Sequence, residues 1–323
     1  MIKAKICVIG GGGWGQNHIK TLDRLGYLGG IVDVSLEILK SYDNLNSQCL
    51  KFTNLDEAIN QNFDGFVIAT PAETHYDIAK KLIKHSNNVL IEKPVCLNFK
   101  DANDLLLLAK QNNSFIMGGH LLLFHPAFIK IRELIKTNLI GDIKYMYSNR
   151  LNFGKVRNHE NALWSLGPHD ISLLLFFNNE NIKSISYSES KIINREISDS
   201  SLINIKFNND IDSHIYLSWF HPYKEHNFVI IGDKGMISYK DSDPKKEIIF
   251  YHKSIEFEKG NNFKHNLKDE GSESIDYAIS SPLDSELNYF VESIKNNKKD
   301  LGNFELSINV VKILEKIGEI KNG

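Results

Sequence analysis

Over the first 120 residues, short apolar runs alternate with stretches of helical spacing. Ile6–Ile9, Ile31–Asp33, Cys49–Phe52, Phe66–Thr70, Val89–Glu92 and Phe115–Gly118 predict strands, several of them continuously apolar. Strands buried on both faces look like this, as in a parallel sheet. Gly15–Leu25, Ser35–Tyr42, Leu55–Ile59, Thr74–His85 and Asn98–Gln111 predict the helices between them. Repeated β-α alternation implies right-handed crossovers and a doubly wound parallel sheet. After about residue 120 the pattern changes. Phe128–Thr137 and Ser165–Phe177 predict helices, while Tyr145–Leu151, Ile182–Ser188, Ser201–Phe207, His214–Phe220, Asn227–Ile231 and Ile248–His252 predict strands joined by polar turns. That is α+β organisation, mostly antiparallel. Residues 253–275 are polar and read as loop or edge, and amphipathic segments at Leu283–Lys295 and Glu305–Ile320 close the chain. The expected division is residues 1–120 and residues 121–323.

Composition narrows the class. The chain has 323 residues, enough for about two domains and a core that needs no staples. A net charge of −2 argues against nucleic acid or an anionic membrane as the main partner. Cys7, Cys49 and Cys96 lie far apart in no metal-ligand spacing, which fits a reduced cytoplasm, and no metal site is expected. No apolar run approaches the roughly 18 residues of a membrane helix.

The first predicted strand leads into Gly10-Gly11-Gly12-Gly13-Trp14-Gly15, a G-x-G-x-x-G at Gly10, Gly12 and Gly15, and a helix follows. The first glycine permits the turn, the second admits a pyrophosphate, and the third lets the helix approach the strand. Asp33 ends the next strand, 18 residues beyond Gly15, where a carboxylate can accept from ribose hydroxyls. No Arg follows to receive a 2′-phosphate, so NAD is expected over NADP. Thr70-Pro71, with His75, and Glu92-Lys93-Pro94 follow two further strands, at the carboxyl edge where such sheets bind ligands. Read alone, Lys93 is more often a solvated loop lysine and His75 more often an ordinary helix-start histidine.

Leu163-Trp164-Ser165-Leu166-Gly167-Pro168-His169-Asp170 marks a constrained backbone at or near a helix start, with a histidine suited to proton transfer at neutral pH. Two of only five arginines, Arg150 and Arg157, lie just upstream. Arginine suits bidentate recognition of phosphate or carboxylate, and surface ion pairing is its plain alternative.

Together GGGGWGQNH (Gly10–His18), Asp33, ATPAETH (Ala69–His75), IEKP (Ile91–Pro94), the His169 segment and SPLDSELNYF (Ser281–Phe290) resemble the Gfo/Idh/MocA family of NAD(P)-dependent oxidoreductases. The resemblance implies a Rossmann domain binding NAD through Gly10, Gly12, Gly13, Trp14, Gly15, Asp33, Thr70, Pro71, His75, Glu92 and Lys93. It also implies a C-terminal domain with a large open sheet, usually an oligomer interface. Lys93 takes the family lysine's place beside nicotinamide and substrate, and His169 the family histidine's role in proton transfer, the two being the expected catalytic residues. Lys93, Arg150, Arg157, Ser165, His169 and Asp170 become the expected substrate contacts. Ser165 stands where many members carry Asp, and Leu123 where many carry Arg. The stretch around Arg150 to Ser172 is similar to nucleotide-sugar dehydrogenases acting on UDP-N-acetylglucosamine or its uronate. A free-sugar or cyclitol dehydrogenase and a non-catalytic NAD- and sugar-binding regulator are the alternatives.

Overall fold

The computed structural model describes residues 4–45, 49–154, 160–193, 195–258 and 261–322. The chain divides into two compact units: Met1–Phe124 with Ser280–Glu315, and His125–Ile279 with the closing residues from Lys316.

In the first unit β1 (Ile6–Ile9), α1 (Gly15–Leu25), β2 (Leu28–Val32), α2 (Leu36–Lys40), β3 (Leu50–Phe52) and α3 (Leu55–Ile59) are followed by a second run. That run is β4 (Gly65–Ile68), α4 (His75–Lys84), β5 (Val89–Glu92), α5 (Phe99–Gln111) and β6 (Ile116–Gly119). The six strands are parallel in the order β3-β2-β1-β4-β5-β6. Both sheet faces are covered, which is why the strands lack polar alternation. Ile6, Val8, Ile31, Val67, Leu90 and Met117 face one core; Cys7, Ile9, Val32, Phe66, Ile68 and Ile91 face the other.

In the second unit α6 (Pro126–Lys136), β7 (Ile143–Phe153) and α7 (Ala162–Phe177) precede β8 (Ile182–Ser190), β9 (Ser200–Phe207) and β10 (Asp212–Ser218). Then come β11 (Phe220–Gly232), β12 (Met236–Lys240), β13 (Ile248–Glu258) and β14 (Asn261–Ile275). They form one eight-stranded sheet, β14-β13-β12-β11-β7-β10-β9-β8, antiparallel except where β10 runs parallel to β7. Residues 253–275 are therefore strand over most of their length. Their polarity is that of an outermost hairpin, with Lys253 ion-paired to Asp269 across it.

The units also divide the chain differently from a single boundary near residue 120. α8 (Pro282–Lys295) and α9 (Gly302–Asn322) supply core residues to the first unit. Leu287, Phe290 and Val291 of α8 join Ile19 and Leu22 of α1 in one core, and Phe115 lies in stacked contact with Phe290. Phe304, Ile308 and Val311 of α9 complete the other core with Leu82, Leu105 and Ala109. Two amphipathic segments at the end of the chain carry no signal of which sheet they cover.

Helix α7 starts earlier than expected. Asn161 caps it by accepting from the Trp164 N–H at 2.9 Å, and the helix runs through Gly167 and Pro168. Pro168 lacks the N–H for one helical bond, but its turn is buried against the sheet, where packing sustains the helix.

Candidate functional site

The glycine turn after β1 is built by close approaches that only glycine allows. Gly10 has φ +92°, in the left-handed region, and a Cβ on Gly15 would lie 1.8 Å from the Gly10 carbonyl oxygen. Over Gly12 a Cβ would meet nothing nearer than 3.7 Å. The N-terminus of α1 carries no side-chain cap at Trp14. Amides at a helix start without a side-chain cap, beneath an open glycine turn, form an anion-binding arrangement. The residues fit a dinucleotide pyrophosphate.

Asp33 lies one residue past β2 with each carboxylate oxygen held by backbone. The Gly11 N–H donates to Oδ2 at 2.7 Å and the Ser35 N–H to Oδ1 at 2.8 Å. The Tyr42 hydroxyl donates to the Gly11 carbonyl. Gly11 is thus fastened at both its polar groups, and each Asp33 oxygen retains a second acceptor direction for a ribose hydroxyl.

Beyond β4 and β5 the two expected loops are tied to each other. His75 is 1% exposed, with Nδ1 2.9 Å from the Pro94 carbonyl and Nε2 2.9 Å from the Thr70 carbonyl. Burial pushes its imidazole below the usual range, against those two carbonyls. The Thr74 hydroxyl donates to the Pro71 carbonyl at 2.8 Å, and its Oγ1 lies 2.7 Å from the Thr70 hydroxyl. The Lys93–Pro94 peptide is cis. The Lys93 N–H donates to Glu92 Oε2 at 3.2 Å, and Glu92 Oε1 lies 2.6 Å from His18 Nε2. His18 projects from the buried face of α1. One buried pair therefore joins the helix behind the glycine turn to the backbone of Lys93. Its hydrogen bond and the Lys93 charge hold the Glu92 carboxyl below the usual range in spite of burial.

The second unit holds the remaining expected residues. Ser165, His169 and Asp170 lie on α7 and Arg150 on β7. Asp170 is 1% exposed; it accepts from Arg150 Nε and from Nη2 at 3.1 Å, and Ser148 donates to its Oδ1. Both oxygens of Asp170, expected at substrate, are engaged by these donors. The Arg150 fork is likewise committed to Asp170; its Nη1 faces His226 Nδ1 at 3.5 Å. His169, one residue before Asp170, lies about 100° around the helix and is half-buried. Ser165 is buried. Arg157 lies outside the described residues. Among the described residues no cluster of His, Cys, Asp or Glu could hold a metal ion, and no helix is long and apolar enough to cross a membrane.

His18, Tyr42, His120 and Glu286 did not stand out in the sequence as site residues. The available signal was positional. His18 and Glu286 each occupy an i+3 position on an otherwise apolar helix face, beside Gly15, Ile19 and Leu22 or Leu283, Leu287 and Phe290.

Comparison with known proteins adds family models and relatives. The model of the oxidoreductase family with an NAD-binding Rossmann fold matches residues 4–120, and that of the GFO/IDH/MocA C-terminal domain matches residues 128–238. An uncharacterized oxidoreductase of Streptococcus pneumoniae is 24% identical over 225 residues, 62% of this chain and 61% of the relative. The UDP-N-acetylglucosamine 3-dehydrogenase of Acidithiobacillus ferrooxidans is 28% identical over 176 residues, 54% of each chain. These matches span little more than half the length of the relatives. A solved structure of UDP-N-acetylglucosamine 3-dehydrogenase from Acidithiobacillus ferrooxidans superposes with a TM-score of 0.85, covering 99% of this chain and 98% of that one at 21% identity. The likeness to that structure is one of fold.

Proposed function

The chain belongs to the Gfo/Idh/MocA oxidoreductase family, and from that premise we propose that it is an NAD-dependent dehydrogenase of a nucleotide-linked amino sugar. It oxidises the 3-hydroxyl of UDP-N-acetylglucosamine or its uronate to a 3-keto sugar. The observation that carries this reading is the His18–Glu92 pair, which couples the helix behind the glycine turn to the backbone of Lys93. A lysine so anchored can hold a hydroxyl in a fixed direction.

NAD, when bound by the glycine turn and Asp33, supplies the hydride acceptor. His169 takes the hydroxyl proton, since an imidazole needs little adjustment near neutral pH, and Lys93 orients the hydroxyl. Thr70, Pro71 and His75 shape the loop on the cofactor side. Asp33 favours NAD, because a 2′-phosphate would meet its carboxylate. Ser165 and Arg157 are the proposed substrate contacts, with Arg150 limited to whichever N–H groups Asp170 leaves. The open face of the large sheet, lined by Tyr147, Val229, Ile231, Met236 and Tyr251, is the proposed self-association surface; light scattering of the purified chain tests it.

One observation favours a second reading, oxidation of a free sugar or cyclitol. The commitment of Arg150 to Asp170 removes much of one expected anion contact. The deciding experiment is NADH formation followed by trapping of the product carbonyl. A 3-keto UDP-sugar supports the first reading; a keto free sugar alone supports the second.

A further inference from the structure

The first unit buries a polar cluster that the proposed chemistry uses only in part. His18, Glu92, His120 and Glu286 are 0%, 8%, 1% and 0% exposed. Among the described residues, neither oxygen of Glu286 has a hydrogen-bond partner, nor does Nδ1 of His18 or either ring nitrogen of His120. A buried carboxylate left without a donor or a counter-charge is among the costliest groups a fold can hold.

The elements carrying these groups touch one another. α8 packs against α1 and against the 3₁₀ turn Leu121–Phe124 that follows His120. Glu92 pairs with Gly119 across β5 and β6, and a Cβ on Gly119 would stand 3.2 Å from Oε1 of Glu92. The neighbouring elements bury His18 from α1, His120 ahead of the 3₁₀ turn, and Glu92 at the end of β5, with Lys93, half-buried, just beyond it. Arg24 of α1 is committed to Asp284. Burial, and then the like charge of Glu92, push the Glu286 carboxyl well above the usual range. Two carboxylates coupled in the protein interior do not both ionise.

We propose that Glu286 is a proton-carrying positioning residue: a neutral carboxylic acid that, with His18 and His120, encloses a buried hydrated site and leaves the negative charge on Glu92 beside Lys93. A neutral carboxyl both donates and accepts, His120 offers one of each, and His18, whose Nε2–H goes to Glu92, offers Nδ1 as an acceptor. Enclosed water can then bridge all five atoms. Glu92 stays free to accept from His18 and from the Lys93 N–H. Ionisation of Glu286 would add a second negative charge and compete for His18, loosening that anchor. The positioning role rests on the proposed role of Lys93 in orienting the substrate hydroxyl. The proton itself does not.

The test uses the full chain with ¹³C-labelled glutamate, titrated by NMR from pH 5 to 9 without substrate. One glutamate carboxyl carbon should remain in its protonated form at pH 7, and its signal should vanish in Glu286→Gln. If the wild-type protein has no such signal, the proposal fails without recourse to a variant that must fold. A signal that persists in Glu286→Gln also overturns it. The positioning role is read from kcat against pH. Wild type should lose about tenfold per unit once Glu286 ionises, a limb absent from Glu286→Gln, with KM for the sugar unchanged in both. Coincident profiles overturn the positioning role. A chain that oxidises no sugar defeats the functional reading while the NMR result still decides the proton.

Discussion

Each unit buries a cluster of ionisable groups, and the two differ in how completely their polar atoms are used. In the second unit Asp170 receives two N–H groups from Arg150 and a hydroxyl from Ser148, so carboxylate and guanidinium neutralise each other, and beside them Nε2 of His226 has no hydrogen-bond partner among the described residues. In the first, the His18–Glu92 pair is made, but Glu286, His120 and one nitrogen of His18 have no protein partner. A closed network specifies structure, whereas a network with orphaned atoms has capacity to bind water or hold a proton. The first cluster adjoins Lys93 and the second adjoins His169. The account therefore expects stability to depend on the second cluster and turnover on the residues the two clusters support.

The largest effects should come at the reacting groups. Lys93→Ala and His169→Ala should each lower kcat about 10²- to 10⁴-fold, with cofactor affinity and melting temperature nearly unchanged. A variant that keeps near-normal turnover removes that residue from the mechanism. Asp170→Ala should act the opposite way. It leaves Arg150, whose side chain is 11% exposed, without its counter-charge, and should cost about 3–5 kcal/mol of stability, measured by denaturant unfolding. A loss under about 1 kcal/mol would erase the contrast between the clusters.

Much of the first unit was legible in the sequence, because strands covered on both faces are apolar runs and the glycine turn has fixed spacing. What was hidden has physical causes. Gly167-Pro168 reads as lying at or near a helix start, yet α7 begins earlier, at Ala162, because packing outweighs the lost hydrogen bond. β14 reads as loop because an outermost strand with solvent on both faces needs no alternation. The buried cluster was missed because Glu286 looks like one more acid on a polar helix until the apolar stripe around it is counted. The use of Arg150 could not be read at all: a guanidinium suited to a diphosphate suits a buried aspartate equally well.

Acid should probe both clusters through their histidines. Burial, and then the Lys93 charge against that of Glu92, lowers the His120 imidazole to about 4. Burial, with Arg150 next, lowers His226 to about 4. A histidine whose folded value is depressed binds fewer protons folded than unfolded. Its stabilisation is present above the unfolded value near 6.5 and drains away as pH falls toward 4. For His120 the loss should reach about 3 kcal/mol, and His120→Gln should flatten melting temperature over that window. His226→Gln should flatten it less, since His226 is less enclosed. Equal slopes for wild type and both variants would refute the assignment.

The smallest expected change concerns the cofactor. Asp33→Ala removes acceptors for ribose hydroxyls and should weaken NAD binding about 10- to 150-fold, while NADP binding changes little. Fluorescence titration of both cofactors reads the difference, and an NADP affinity equal to that for NAD in wild type would contradict the role of Asp33.

The central claim is the sugar-nucleotide substrate, and its most direct test is kcat/KM for NAD reduction with UDP-N-acetylglucosamine, its uronate, the corresponding free sugars and a cyclitol. The account predicts that one of the two UDP-sugars exceeds every free substrate by about tenfold or more, the scale of one charge-assisted contact to the anion. A free sugar or cyclitol turned over best would contradict it.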